Sequence, residues 1–276
     1  MSFRTILEVI GASHGDEDLR IAADLCGQAG AHLSVLVAAW APEPMGRYPT
    51  MTPAWVEQRD RSVQALKERV RQARDLLGRR EISYDVDSVY SEVAAADYDI
   101  GERSIYCDLL LVGPDAFADA DLKRQVVGGG LLQSGRPLLL IPPDTKPTLQ
   151  PKTVLLAWDS RAQSARAARE ALEMMTKADS VHVTMVDPTA SLRGSGDEPG
   201  ADVAAYLARH GINVAVDALP SGGKMVAQVL QQHAVDVSAD IIVMGAYGHS
   251  RLREFIFGGV TRSMLDETKL PVLMAR

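Results

Sequence analysis

Cysteine is almost absent from this chain. Only Cys26 and Cys107 occur among 276 residues, too few for a disulfide framework or a zinc ribbon, and the scarcity fits a reducing compartment. A surplus of positive charge is missing too: 29 Lys and Arg stand against 36 Asp and Glu, a net charge of −7. A polyphosphate such as DNA needs clustered cations, so a nucleic-acid partner is not expected. Long apolar runs are also lacking. Runs such as residues 109–113 and 241–246 fall far short of a bilayer span. The N-terminus has no extended apolar core and soon meets acidic residues, so no signal peptide is read there. The expectation is a cytoplasmic, globular protein with no membrane partner.

What is present suffices for a folded core: 46% hydrophobic and 24% charged residues. The length favours two domains or one large α/β domain, and an internal repeat favours two. Thr5-Ile-Leu-Glu-Val-Ile10 returns 148 positions later as Thr153-Val-Leu-Leu-Ala-Trp158, and the run from His32 to Ala38 lies over Ser180 to Val186 at the same offset. Asp108-Leu-Leu-Leu-Val-Gly113 matches Asp240-Ile-Ile-Val-Met-Gly245 at an offset of 132, so the second copy is shorter in its middle. Arg136-Pro-Leu-Leu-Leu-Ile141 matches Leu270-Pro-Val-Leu-Met-Ala275. Two related domains are expected, residues 1–145 and 150–276, joined through Pro142-Pro-Asp-Thr-Lys-Pro147, where proline stops regular structure.

Within each copy, short runs apolar at nearly every position predict parallel strands buried on both faces. Between them, Val56, Val63, Leu66, Val70, Ala73 and Leu77 step at helical intervals, as do Ala165, Ala168, Leu172 and Met175, and Val226, Val229, Leu230, His233 and Val237. Strand–helix alternation predicts βαβ crossovers and two tandem doubly wound parallel sheets of the α/β class. Ligands of such sheets sit beyond the carboxyl ends of the strands.

One such strand end carries a glycine loop. After Ile241-Ile-Val-Met244 comes Gly245-Ala-Tyr-Gly248, and nine residues later Gly258-Gly259-Val260-Thr261 opens a helical segment running to about Glu267. Glycine lets the backbone turn tightly and approach a ligand, and free amides at a helix N-terminus suit phosphate. Arg251 and Arg253 add positive charge nearby.

This pattern resembles the universal stress protein family, in particular its nucleotide-binding branch, across nearly the whole chain as two copies of the family domain. The family signature is Gly, two residues, Gly, nine residues, Gly, then Ser or Thr. Gly245, Gly248 and Gly258 match it, whereas Gly259 occupies the hydroxyl position. The resemblance implies a Rossmann-like fold of the adenine nucleotide alpha hydrolase type. It also implies a site for ATP or another adenine nucleotide, with Mg²⁺ as an optional companion. Ala157 and Asp159 then wall the adenine–ribose pocket, the Val186 backbone meets the adenine edge, and Met244 and Gly245 line the nucleoside. Gly248, His249, Gly258, Gly259, Val260 and Thr261 face the phosphates. It further implies that the last strands of the two copies pair about a pseudo-twofold axis within one chain, with a homodimer of chains compatible but not written in the sequence.

The first copy departs from the signature. The counterpart of Asp159 is Gly11, no glycine follows Gly113 at the required spacing, Gly128-Gly-Gly130 falls at the wrong distance, and the stretch from Asp115 to Asp121 is acidic. It is expected to bind no nucleotide and to serve as a structural partner. Ser221-Gly-Gly-Lys224 lacks both the upstream glycine and the Ser or Thr of a Walker A loop and is read as a loop, with Ser221 as a helix cap. Asp159 is equally suited to cap the helix that follows it. The six histidines show no metal-binding spacing, and His233 is read as a satisfied core residue. Cys26 and Cys107 are read as buried side chains. No catalytic or metal-ligating set is named, so slow ATP hydrolysis is the most the chain is expected to manage. The leading expectation is a regulatory or protective protein that binds an adenine nucleotide in its second domain. The alternative is an interaction protein that binds none.

Overall fold

The computed structural model describes residues 3–41, 52–188, 198–246, 248–251 and 254–276. They divide into two compact units, one from Phe3 to Arg136 and the other from Pro137 to Arg276.

The first unit is built on β1 (Thr5–Gly11), β2 (His32–Trp40), β3 (Tyr84–Ser91) and β4 (Leu109–Val112). All four are parallel, in the order β3-β2-β1-β4. β4 is buried at every position, as a strand covered on both faces must be. The cover comes from α1 (Asp16–Ala29), α2 (Pro53–Leu77) and α3 (Ala96–Ser104). α2 starts where the Thr52 side chain accepts the amide of Trp55, with Pro53 in the first turn. It buries Leu66, Arg69, Ala73 and Leu77, so the predicted stripe is the inward face, packed most deeply in its C-terminal half. After β4 come α4 (Pro114–Ala118), α5 (Ala120–Val127) and a π-helical stretch, Gly128–Ser134. The glycine run of that stretch has a packing cause. A Cβ on Gly129 would stand 2.8 Å from the Asp97 carbonyl oxygen and 2.9 Å from the Gly101 amide nitrogen, so the stretch lies against the backbone of α3 only because side chains are missing there.

The second unit repeats the winding. β5 (Leu138–Leu140) is followed by β6 (Thr153–Ala157), α6 (Ala162–Glu170), α7 (Leu172–Thr176), β7 (Ser180–Val186), α8 (Ala201–Ala208), β8 (Val214–Leu219), α9 (Val226–Asp236) and β9 (Ile241–Gly245). The chain then forms β10 (Gly248–Arg251), β11 (Glu254–Phe257), α10 (Gly259–Glu267) and β12 (Val272–Ala275). The sheet order is β5-β12-β9-β6-β7-β8. It is parallel except for β5, which runs antiparallel to β12 with Leu139 opposite Leu273. Both copies are doubly wound α/β folds, as the alternation predicted.

Three local expectations need correction. The single helix read through Ala165 and Met175 breaks at Ala171 (φ −89°, ψ 2°) into α6 and α7. Ser221 does not cap a helix: α9 begins at Val226, and the Met225 amide donates to Gln228 Oε1 at 3.4 Å. The stretch after Gly248, read as loop, contains an antiparallel hairpin in which β10 pairs β11 with Gly248 opposite Phe257. Among the described residues, no helix is long and apolar enough to cross a membrane.

Candidate functional site

The carboxyl ends of β6, β7 and β9 open onto a cavity of about 470 Å³, lined further by α9 and the first turn of α10. That volume falls in the range of ordinary small-molecule sites. Of the residues expected from the sequence, Ala157, Asp159, Val186, Met244, Gly245, Gly258, Gly259, Val260 and Thr261 all line it. Gly248 instead stands at the start of β10 and is not among the described lining residues. The His249 side chain and the side chains of Arg251 and Arg253 lie outside the described residues.

Each wall has a local cause. Ala157, at the end of β6, is the register partner of both Thr184 and Met244, so the three stand side by side on one face. Thr184 shares that face with Val186 because side chains alternate along a strand, and it too lines the cavity. Asp159 follows β6 in an exposed turn, where its Oδ1 accepts the Arg161 amide at 3.1 Å. The carboxylate therefore caps the approach to α6 and lines the cavity at once. Arg161 lines the cavity beside it. Val226 and Leu230, one helical turn apart on α9, close the far side. Periodicity signals that these two point inward, but only the crossover from β8 brings them over β7.

The end of the cavity at α10 is main chain. Gly258 is the N-cap of α10 with extended backbone, and the first bond of the helix runs from the Arg262 amide to the Gly258 carbonyl at 2.9 Å. Gly259 and Val260 come ahead of that first bond, so their amides and the positive dipole end of α10 face the cavity they line. Gly245 has a different role. A Cβ there would sit 2.6 Å from the Gln163 carbonyl carbon and 2.6 Å from the Ser164 amide nitrogen, so this glycine lets α6 lie directly on the end of β9. Gly259 has nothing within 4 Å of a built Cβ. Asp159 is the one carboxylate among the described lining residues and hence the one acidic candidate to accompany a cation on a bound phosphate.

In the first unit the equivalent strand end is filled from within. Asp18 of α1 is fully buried, and its two carboxylate oxygens accept the amides of Asp115 (2.8 Å) and Ala116 (2.9 Å) at the start of α4. A side-chain anion thus occupies the amides that follow β4. Any side chain on Gly113 would collide with it, and the His14 ring stands over Gly11, 2.8 Å from a built Cβ. Burial pushes the Asp18 carboxyl up to about 6, with the charge of Asp115 adding to the effect and the two amides opposing it. Next to it, on β1, Glu8 is completely buried with neither oxygen hydrogen-bonded. Desolvation, then the charge of Asp18, hold its carboxyl well above the usual carboxylate range, against the weaker opposing pull of the nearby Gly113 and Val9 amides. Burial also raises the thiols of Cys26 and Cys107 to about 12, which leaves both unreactive at neutral pH.

An α/β unit with a glycine-bounded crevice and a helix N-terminus at its strand ends belongs to the class of Rossmann-like ligand-binding folds. The comparisons name the family. The model of the "Universal stress protein family" matches residues 151–276, so the second unit carries a universal stress protein domain. Universal stress protein Slr1230 of Synechocystis sp. (strain ATCC 27184 / PCC 6803 / Kazusa) is 36% identical over 64 residues, 20% of this chain and 22% of its own length. The chain thus matches under a quarter of that curated relative. A crystal structure of a universal stress protein from Archaeoglobus fulgidus DSM 4304 aligns over 98% of both chains at 15% identity, with a TM-score of 0.63. This likeness extends the shared fold over the first unit as well. Universal stress proteins have also been solved in complex with dAMP (from Archaeoglobus fulgidus; 15% identity, 51% of this chain and 98% of that one, TM-score 0.35) and with cAMP (17% identity, 51% and 98%, TM-score 0.29).

Proposed function

We propose that the second unit binds an adenine nucleotide in the cavity beyond β6, β7 and β9, and that the chain acts as a nucleotide-responsive stress protein rather than a fast enzyme. The observation that carries this reading is the meeting of an apolar pocket, built by Ala157, Val186, Leu230 and Met244, with the N-terminal turn of α10 at Gly258–Val260. A flat apolar base and an anionic tail are what those two ends would accept. The first unit, with Asp18 on the corresponding amides, serves as a structural partner without a nucleotide of its own.

Calorimetric titration of the full chain with ATP, ADP and AMP tests the reading, alongside mass spectrometry of the purified protein for a retained nucleotide. Micromolar binding of at least one adenylate is expected, with a rise in the melting temperature at saturation. Asp159→Ala weakens binding about tenfold, since it removes a polar contact to the ribose end while costing the fold only a surface turn. An unchanged melting temperature under saturating adenylates would instead point to an interaction protein that binds none.

The substitution at the signature's hydroxyl position supplies an independent prediction. Gly259 is the first residue of α10, with open space where a Cβ would go. Gly259→Ser therefore fits without strain and adds one donor at the phosphate end. One net hydrogen bond contributes about 0.5–1.5 kcal/mol, so ATP affinity rises roughly 3- to 10-fold. Equal ATP dissociation constants for the two proteins would show that no phosphate lies there.

A further inference from the structure

Among the described residues, His182 of β7, Asp217 of β8 and His233 of α9 converge outside the cavity. Their register explains the meeting. His182 pairs with Ala215 across β7 and β8, and Asp217 pairs with Thr184. Two-residue alternation therefore sets His182 and Asp217 on the same face. α9 lies over that face, and His233 follows Leu230 by three positions on its inward side. His182 Nδ1 and His233 Nε2 each stand 2.9 Å from the same oxygen, Asp217 Oδ2. The rings meet edge to face with centroids 6.2 Å apart. All three ligand atoms lie within 4.8 Å of one another.

We propose that this triad is a binding site for a divalent transition-metal ion of the zinc type, held by His182 Nδ1, Asp217 Oδ2 and His233 Nε2. A tetrahedral ion about 2.0–2.1 Å from its ligands sets neighbouring ligand atoms about 3.4 Å apart. The two His–Asp separations of 2.9 Å thus need to open by about half an ångström, and the two imidazole nitrogens, within 4.8 Å of each other, need to close by at most about 1.4 Å. Two imidazoles with one carboxylate select zinc or a similar ion over magnesium and calcium, which take all-oxygen cages. The three side chains are 16–24% exposed, so the site is reachable from solvent, and a water can complete the shell. None of the three lines the nucleotide cavity, but Asp217 sits beside its wall residue Thr184 and α9 supplies residues to both places. The metal would pin α9 to the sheet next to the cavity, and the site stands whether or not a nucleotide binds.

The competing description is a simple hydrogen-bond cluster in which both rings donate to Asp217. The two differ in protons, because imidazoles that donate to Asp217 must give up those protons to bind a metal. Full-length protein, stripped with chelator, is titrated with Zn²⁺ against a chromophoric competitor, and by calorimetry in buffers of different ionisation enthalpy. One ion per chain with release of protons is expected, together with a zinc-dependent rise in melting temperature. His182→Gln and His233→Gln each lower affinity at least about 100-fold, since even partners behind a ligand cost 10- to 100-fold. His210→Gln, at a ring that meets Tyr206 edge to face instead, leaves affinity unchanged. Co²⁺ as a probe gives the visible absorption of a tetrahedral site in the parent and none in the two variants. Circular dichroism confirms folding, with Asp217→Asn as a third variant if either glutamine exchange unfolds. Zinc uptake by the parent no tighter than by the double variant His182→Gln/His233→Gln would overturn the proposal.

Discussion

Gly245→Ala is expected to destabilise the second unit by about 1–3 kcal/mol and to weaken nucleotide binding at least tenfold, whereas Gly259→Ala leaves both fold and stability intact. The two glycines belong to one motif, yet their surroundings are opposite. The added methyl at position 245 would lie 2.6 Å from two backbone atoms of the segment Gln163–Ser164. No rotamer change relieves a clash with main chain, so α6 has to move, and overpacking of that kind costs about 1–3 kcal/mol. Because Gln163 and Ser164 also line the cavity, the same shift deforms it. Position 259 meets nothing within 4 Å, and alanine is a better helix former than glycine. Chemical denaturation of both variants with parallel adenylate titrations checks the contrast. A Gly245→Ala protein of parental stability would mean that α6 has slack that the packing does not show.

Glu8→Met is expected to stabilise the first unit by about 1–3 kcal/mol at pH 8 and by much less at pH 5. The parent keeps a carboxyl at the centre of β1 with no hydrogen-bond partner for either oxygen. Replacing an unsatisfied buried polar group by an apolar one of similar shape removes its desolvation penalty. The pH dependence follows from proton binding. Burial raises the carboxyls of Glu8 and Asp18 in the folded state, Asp18 to about 6, above their unfolded values near 4. The folded protein then holds protons that the unfolded chain has released. Stability from these groups is full below about pH 4 and is lost as pH rises through the folded values. Methionine at position 8 deletes one of the two groups. Melting temperatures of both proteins from pH 5 to pH 8 give the difference directly, and a gap independent of pH would show that Glu8 is ionised when folded.

Much of the fold could be read from the chain because strand burial leaves a local imprint. The runs at residues 109–112 and 241–244 are apolar at every position, and no other arrangement hides both faces of such a strand. The long α2 stripe was legible for the same reason, its period matching a helix. The hairpin after Gly248 was not, since Gly-His-Ser-Arg offers neither alternation nor apolar residues. Of the cavity, the residues at strand ends were legible, because topology puts ligands there. Thr184 required only one further step, the alternation from Val186. Val226 and Leu230 were invisible as site residues, since a helical period tells that a residue faces inward but not what it faces. The metal-type cluster shows the same limit more sharply: His182 and His233 lie 51 positions apart, with no motif to join them.

The repeat, the α/β alternation and the glycine loop after Met244 were settled by the amino-acid sequence alone, since each is a matter of neighbours along the chain. Three things were decided only in the folded protein: Asp18 seated on the amides that follow β4, α6 pressed against Gly245, and two histidines meeting on one oxygen of Asp217. Each joins residues from separate crossovers. Their encounter depends on how far each helix is displaced across its sheet, and periodicity carries no record of that.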